Sequence, residues 1–233
     1  MAYKRPDNRK YDELRPMKAE VGVIPRADGS AMFQIGKTIA YAAVYGPRAL
    51  HPTYLRNPEK GILRCNYNML PFSGSGERVK PGPSRRSKEI SLVTEKALLP
   101  VLDLSEFPNT VIDVYIELIQ TDAGTRCAGI TAASMALADA GLKMSDLVSA
   151  ASVGVVENQV IADLSKEEED NESGATDMPV AMTGRKKEIT LLQMDGMINK
   201  KQLLEAIELA KKCNHKIHEL QVKVLKEKYQ NGK

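Results

Sequence analysis

The alternation of apolar and polar positions divides the chain into strand-like runs, three helices and two loops of biased charge. Residues 19–45 carry strand patterning, broken at Ala27-Asp28-Gly29-Ser30 and again at Gly36-Lys37, which predicts an antiparallel meander. Leu63 to Pro71 predicts another strand. Thr110 to Thr121 alternates cleanly, with Ile112, Val114, Ile116 and Leu118 on one face. Between these strands, Ser87 to Leu99 has helical spacing through Ile90, Val93 and Ala97, and stops at Pro100. Gly124 to Ala140 predicts a helix of small residues closed by Gly141, and its lack of bulk implies tight packing against a sheet.

The second half repeats the theme. Ser152–Val156 and Val160–Leu164 flank Glu157-Asn158-Gln159 as one hairpin, and Val180–Thr183 and Glu188–Met194 form another around residues 184–187. Lys200 to Tyr229 predicts a long amphipathic helix, with Leu203, Ile207, Ala210, Cys213, Ile217, Leu220 and Val224 inward. Its lysine-rich outer face reads as solvated. The pattern is α+β, strands then helix in each of two halves. Residues 1–18 predict an extended basic arm, in which Pro6 and Pro16 oppose helix. Residues 19–148 form the first half and 149–233 the second, with segments 47–61 and 73–84 as loops.

Composition narrows the class. Hydrophobic residues make up 42% of the 233, with no Trp and three Phe, so the core is aliphatic. Cys65, Cys127 and Cys213 are far apart, which opposes both a disulfide framework and a zinc site. The polar start gives a signal peptide no apolar stretch, and no run is long enough to cross a membrane. A soluble, cytoplasmic protein is expected.

The net charge of +3 says less than its distribution. Residues 78–88 hold five basic side chains and no acid, and residues 167–172 hold five acids and no base. The first can hold a polyanion; the second would repel one unless a cation or a chemical role intervenes.

Three constellations carry candidate chemistry. Asp122-Ala123-Gly124-Thr125-Arg126 stands where strand passes into helix, where unpaired backbone N–H groups and an arginine fork suit phosphate. A plain helix cap by Asp122 or Thr125 is the alternative. Ser84-Arg85-Arg86-Ser87 opens another helix, where positive charge is unfavourable, and this favours a grip on a phosphodiester backbone. The acidic stretch 167–170, with Asp177 beyond it, suits Mg²⁺ or a general acid, the alternative being a solvated loop. His215 and His218 lack a third ligand and read as surface residues.

The order of these fragments resembles the RNase PH family. Asp7-Asn8-Arg9, Leu14-Arg15-Pro16, residues 27–31 and Val44-Tyr45-Gly46-Pro47 match its opening. Residues 67–73, Ser84-Arg85-Arg86, residues 122–126, residues 136–141 and Asp177-Met178-Pro179 continue the match. Within the family the chain is most similar to the catalytic ring subunit of archaeal exosomes. The resemblance implies the ribosomal protein S5 domain 2-like fold in two βαβα-type halves, and phosphate-dependent removal of nucleotides from RNA 3′ ends. It also implies particular roles. Gly124, Thr125 and Arg126 hold inorganic phosphate, Arg64, Arg85 and Arg86 hold RNA, and Asp170 is catalytic with Asp177 supporting it or Mg²⁺.

Two departures stand out. Asn66 replaces a second arginine common in relatives, and the acidic loop is one residue longer, which leaves Glu169 as the alternative to Asp170. The implied partners are single-stranded RNA 3′ ends, a homologous non-catalytic chain in a hexameric ring (a trimer of heterodimers), and RNA-binding cap proteins, with no membrane. The rival readings are a non-catalytic ring scaffold and a stand-alone transfer-RNA-trimming enzyme, separable by native mass and partner identification.

Overall fold

The computed structural model describes residues 3–76, 78–171 and 174–231; Glu172, the last acid of the acidic run, lies outside them. The meander is present as β1 (Met17–Val21), β2 (Gly29–Ile35) and β3 (Thr38–Ala49), paired antiparallel in sequence order. β4 (Ile62–Met69) leads through α1 (Arg85–Leu98) to β5 (Thr110–Gln120), which inserts between β3 and β4 and runs parallel to β4. α2 (Thr125–Asp139) closes this half. The second half is β6 (Val148–Val156), β7 (Gln159–Ala162), α3 (Lys166–Glu169), β8 (Ala175–Thr183), β9 (Ile189–Leu192) and α4 (Lys200–Asn231). Its four strands form an antiparallel sheet in the order β7-β6-β8-β9.

α2 lies between the two sheets, packed on β2 and β3 on one side and on β6 on the other. Only small side chains permit that spacing: Ala128, Ala132, Ala133 and Ala136 have no exposed surface. One core runs through both halves, from Phe33 and Ile116 to Val148, Cys213 and Ile217. The second sheet is covered on its other face by α4, where Ala206 and Ala210 meet Val153, Val180 and Met182. This explains a difference from the sequence pattern. β6 begins at Val148, not Ser152, because a strand covered on both faces shows no alternation.

The basic arm is not a free arm. Its last residues already belong to β1, and its arginines are buried in the second half: Arg5 donates twice to Glu168 at 2.8 Å, and Arg15 donates to Asp163. Arg5 is only 2% exposed. Likewise, β3 continues past Tyr45 through a register shift to Ala49, using the start of the segment read as a loop. Among the described residues, no helix is long and apolar enough to cross a membrane.

Gly29 marks where β2 touches the end of α2. A Cβ there would stand 2.2 Å from the Ala140 nitrogen and 2.4 Å from the Ala136 carbonyl oxygen. Neither backbone atom can yield, so Gly29→Ala is expected to cost about 2–3 kcal/mol. Urea denaturation checks this; an unchanged midpoint would contradict the packing of α2 on β2.

Candidate active site

The end of β5 and the start of α2 form the floor of a cleft of about 400 Å³. Ala123 and Gly124 both take the left-handed conformation, at φ 55° and 64°, so the chain turns sharply before Thr125. Among the described residues, no side chain caps α2. Its first N–H groups therefore point into the cleft unpartnered by the helix, beside the Arg126 guanidinium. Asp122 does not act as a cap. Its backbone N–H donates to Thr38 Oγ1 at 2.9 Å, and its carbonyl accepts from Thr38 and from Arg15. The turn is thus held from below by a buried threonine and a buried arginine.

α1 supplies the next wall. Ser84 and Ser87 cap it reciprocally, and the cap sets Arg86 facing the cleft. Neither Arg85 nor Arg86 has an ion-pair partner among the described residues, although both sit at the positive end of a helix. Residues 74–76, Val79 and Lys80 complete that side.

The opposite wall comes from the second half. Asp177 on β8 accepts a hydrogen bond from Ser152 on β6 at 2.5 Å, and burial raises its carboxyl above the ordinary range. Glu169, at the end of α3, also lines the cleft. Burial, then the nearby negative charge of Asp177, pushes its carboxyl up to about 7. Asp170 does not line the cleft. It is exposed and paired with Lys166 at 2.7 Å. The residue facing the site is therefore Glu169, the alternative left by the longer loop. The cause lies one position back. Glu168 is fully buried on Arg5 and closes a capping box with Ser165, which fixes the rotation of α3 and turns Glu169 inward.

Of the predicted site residues, the fold brings together Gly124, Thr125, Arg126, Arg86 and Asp177. Arg85, although exposed, is not part of the cleft wall. Arg64 stands elsewhere, on the open face of the first sheet, paired with Asp113 at 2.5 Å across β4 and β5. Its neighbours Cys65 and Tyr67 face the core, so strand alternation turns Arg64 away from the cleft. Ser152 and the Arg15–Asp163 pair were not read from the sequence; their partners are 25 and 148 residues distant. The Ser165-x-x-Glu168 spacing was the available signal for α3.

Among the described residues, no group of three or more His, Cys, Asp or Glu could hold a metal. The Glu169–Asp177 pair fits a lesser arrangement, in which Mg²⁺ sits on one or two carboxylates and substrate phosphate. A cation on Glu169 would favour its ionised form, which burial and then the charge of Asp177 oppose.

Family models match nearly the whole of this architecture. RNase PH, the 3′ exoribonuclease family, matches with its domain 1 over residues 13–143 and its domain 2 over residues 146–213. The chain belongs to the 3′ exoribonuclease family. It is 55% identical over 226 residues to the exosome complex component Rrp41 of Thermococcus kodakarensis, covering 97% of this chain and 90% of that one. It is 45% identical to the Rrp41 of Archaeoglobus fulgidus, covering 97% and 87%. Rice Rrp46 superposes with a TM-score of 0.85 at 25% identity, over 95% of this chain and all (100%) of that one. A chain of the Archaeoglobus fulgidus exosome with RNA bound to the active site does so at 0.80 and 24%, over 93% and 92%, which speaks to the fold. The RNase PH-like fold in two halves is therefore established.

The turn between β5 and α2 depends on Arg15, whose charge is buried on Asp163. Asp163→Ala leaves the buried Arg15 with only the 3.4 Å contact to the Asp122 carboxylate, while Arg9 keeps Asp7, and is expected to cost about 3 kcal/mol. Thermal or urea unfolding checks this; a loss below ~1 kcal/mol would show that the pair is not structural.

Proposed function

We propose that this chain is a phosphorolytic 3′→5′ exoribonuclease and the catalytic ring subunit of an exosome. The observation that carries the reading is one cleft with an uncapped helix start and Arg126 on its floor, facing a carboxyl raised to about 7. The floor suits an attacking phosphate, and Arg86 with Lys80 suits the RNA backbone beside it. A phosphate oxygen attacks the phosphorus of the last phosphodiester. The bond from phosphorus to the 3′ oxygen breaks, and that oxygen takes a proton from Glu169. The products are a nucleoside diphosphate and an RNA one residue shorter. Arg126 and Arg86 offset the charge that accumulates on the transferred group.

Burial first, and then the negative charge of Asp177, favours the protonated form of Glu169. Bound Mg²⁺ would be held by Asp177 and substrate phosphate, where it would supply charge neutralisation. Asp170 pairs with Lys166, which lines the cleft. Arg64, on the open sheet face with Asn66, fits RNA arriving from outside the cleft rather than the reacting end. The names of the relatives support a place in an exosome complex; the proposal extends this to a homologous non-catalytic chain in a hexameric ring, RNA-binding cap proteins and a cytoplasmic setting. A pure scaffold has no use for a buried acid aligned with a phosphate turn.

Incubation of oligo(A) with and without phosphate tests the reaction. Nucleoside diphosphates are expected only with phosphate; monophosphates at an undiminished rate without it would make water the nucleophile and sink the reading.

The acid assignment has its own test. Glu169→Gln is expected to lower turnover ~10²–10⁴-fold with RNA binding retained, and Asp170→Asn by less than about threefold. The opposite ranking would move the acid by one residue. A carboxyl raised to about 7 is protonated below that pH and loses its proton above it. Turnover should therefore fall as pH rises through about 7, and Glu169→Gln should flatten that limb.

A further inference from the structure

Arg126 is held by a side chain from the second half that the reaction above does not use. Gln193, just beyond β9, accepts a hydrogen bond through Oε1 from Arg126 Nη1 at 2.9 Å. Its Nε2 donates to Glu89 Oε1 on α1 at 3.0 Å. We propose that Gln193 is a positioning residue that aims the Arg126 guanidinium at phosphate. The inference rests on the reading that Arg126 binds phosphate.

The backbone of Gln193 is fixed to the strand that carries the carboxylate. Its N–H donates to the Pro179 carbonyl at 3.2 Å, and two residues on, Asp195 and Asp177 exchange both backbone hydrogen bonds at 2.9 Å. One amide thus registers three elements against each other: α2 with Arg126, α1 with Arg86 and β8 with Asp177.

The amide has one workable orientation. Flipped, it would set its NH₂ against the guanidinium and its oxygen against the Glu89 carboxylate, so both contacts would be repulsive. Glu89 therefore keeps the acceptor facing Arg126. A neutral acceptor also suits the purpose better than a carboxylate. It occupies one of the five guanidinium N–H groups and leaves the full positive charge and the other donors for an anion. A carboxylate at the same place would pair with Arg126 and compete with phosphate.

The test is steady-state kinetics of the full chain, in the assembly in which it is active, with phosphate and RNA varied separately. Gln193→Met keeps the length and removes the acceptor, and should raise KM for phosphate about tenfold, with the KM for RNA within about twofold. Gln193→Glu keeps an acceptor for Arg126 but replaces the donor to Glu89 by a second carboxylate that competes with phosphate; the proposal predicts a phosphate KM raised at least as far as in Gln193→Met, with the KM for RNA within about twofold. Glu89→Ala, at an exposed position, should raise it about threefold by freeing the amide to flip.

Arg126→Ala is the control that separates the two ideas. If it raises the phosphate KM while all three other variants match wild type, Gln193 does not position the arginine and the proposal falls. If Arg126→Ala itself leaves the phosphate KM unchanged, the phosphate reading falls and takes the proposal with it. Equal losses in phosphate and RNA KM for Gln193→Met would also overturn it.

Discussion

Arg15 enters the interior between the halves with its backbone N–H and two of its side-chain nitrogens on Asp163, at 2.7–2.9 Å, and a third reaching the Asp122 carbonyl. Both partners of the ion pair are nearly inaccessible, at 6% and 2% exposure. Charges buried this deeply are costly to desolvate and are strongly destabilising when one member is lost. The pair therefore specifies an arrangement more than it adds stability. It fixes the position of the β7–α3 connection relative to the β5–α2 turn. Those two turns lead into the acid wall and the floor of the cleft.

The same arm fixes the acid wall by a second route. Arg5 holds Glu168, and Glu168 holds the start of α3, so the next residue has little choice of direction. A four-residue helix has no stability of its own and takes its orientation from these side chains. The basic N-terminus thus neutralises buried acids of the second half, Glu168 through Arg5 and Asp163 through Arg15. Of the acidic run, Glu168 is paired with Arg5 and Asp170 with Lys166, leaving Glu169 as the described acid inside the cleft.

Most of the fold was legible where burial is one-sided or residue size is extreme. β5 alternates because one face packs on the core, and α2 is small throughout because two sheets enclose it. The start of β6 was not legible, since both of its faces are covered and no period survives. That the β5–α2 turn and Arg86 line one cleft was readable because the signal is local: a strand end, a glycine and an arginine within five residues, and an arginine pair at a helix start. Glu169 against Asp170 was not decided locally. The rotation of α3 is set by Arg5, 163 residues away. Gln193 carries no local signal at all, because its role exists only once α1 and α2 stand side by side.

The burial that raises the Glu169 carboxyl also shapes what the cleft can admit. Two ionised carboxylates on one wall would oppose an incoming phosphate and an RNA end, both anionic. With Glu169 raised to about 7 and Asp177 also raised, that wall carries less negative charge near neutral pH than its residues suggest. The guanidinium groups of Arg86 and Arg126 keep theirs, so the field across the cleft favours anions at the floor. In the proposed reaction Glu169 would be ionised once the 3′ oxygen has taken its proton, and the wall would then repel the product phosphates. On that proposal desolvation acts twice, first by supplying the acid and then, through its ionised form, by loosening the product from the site.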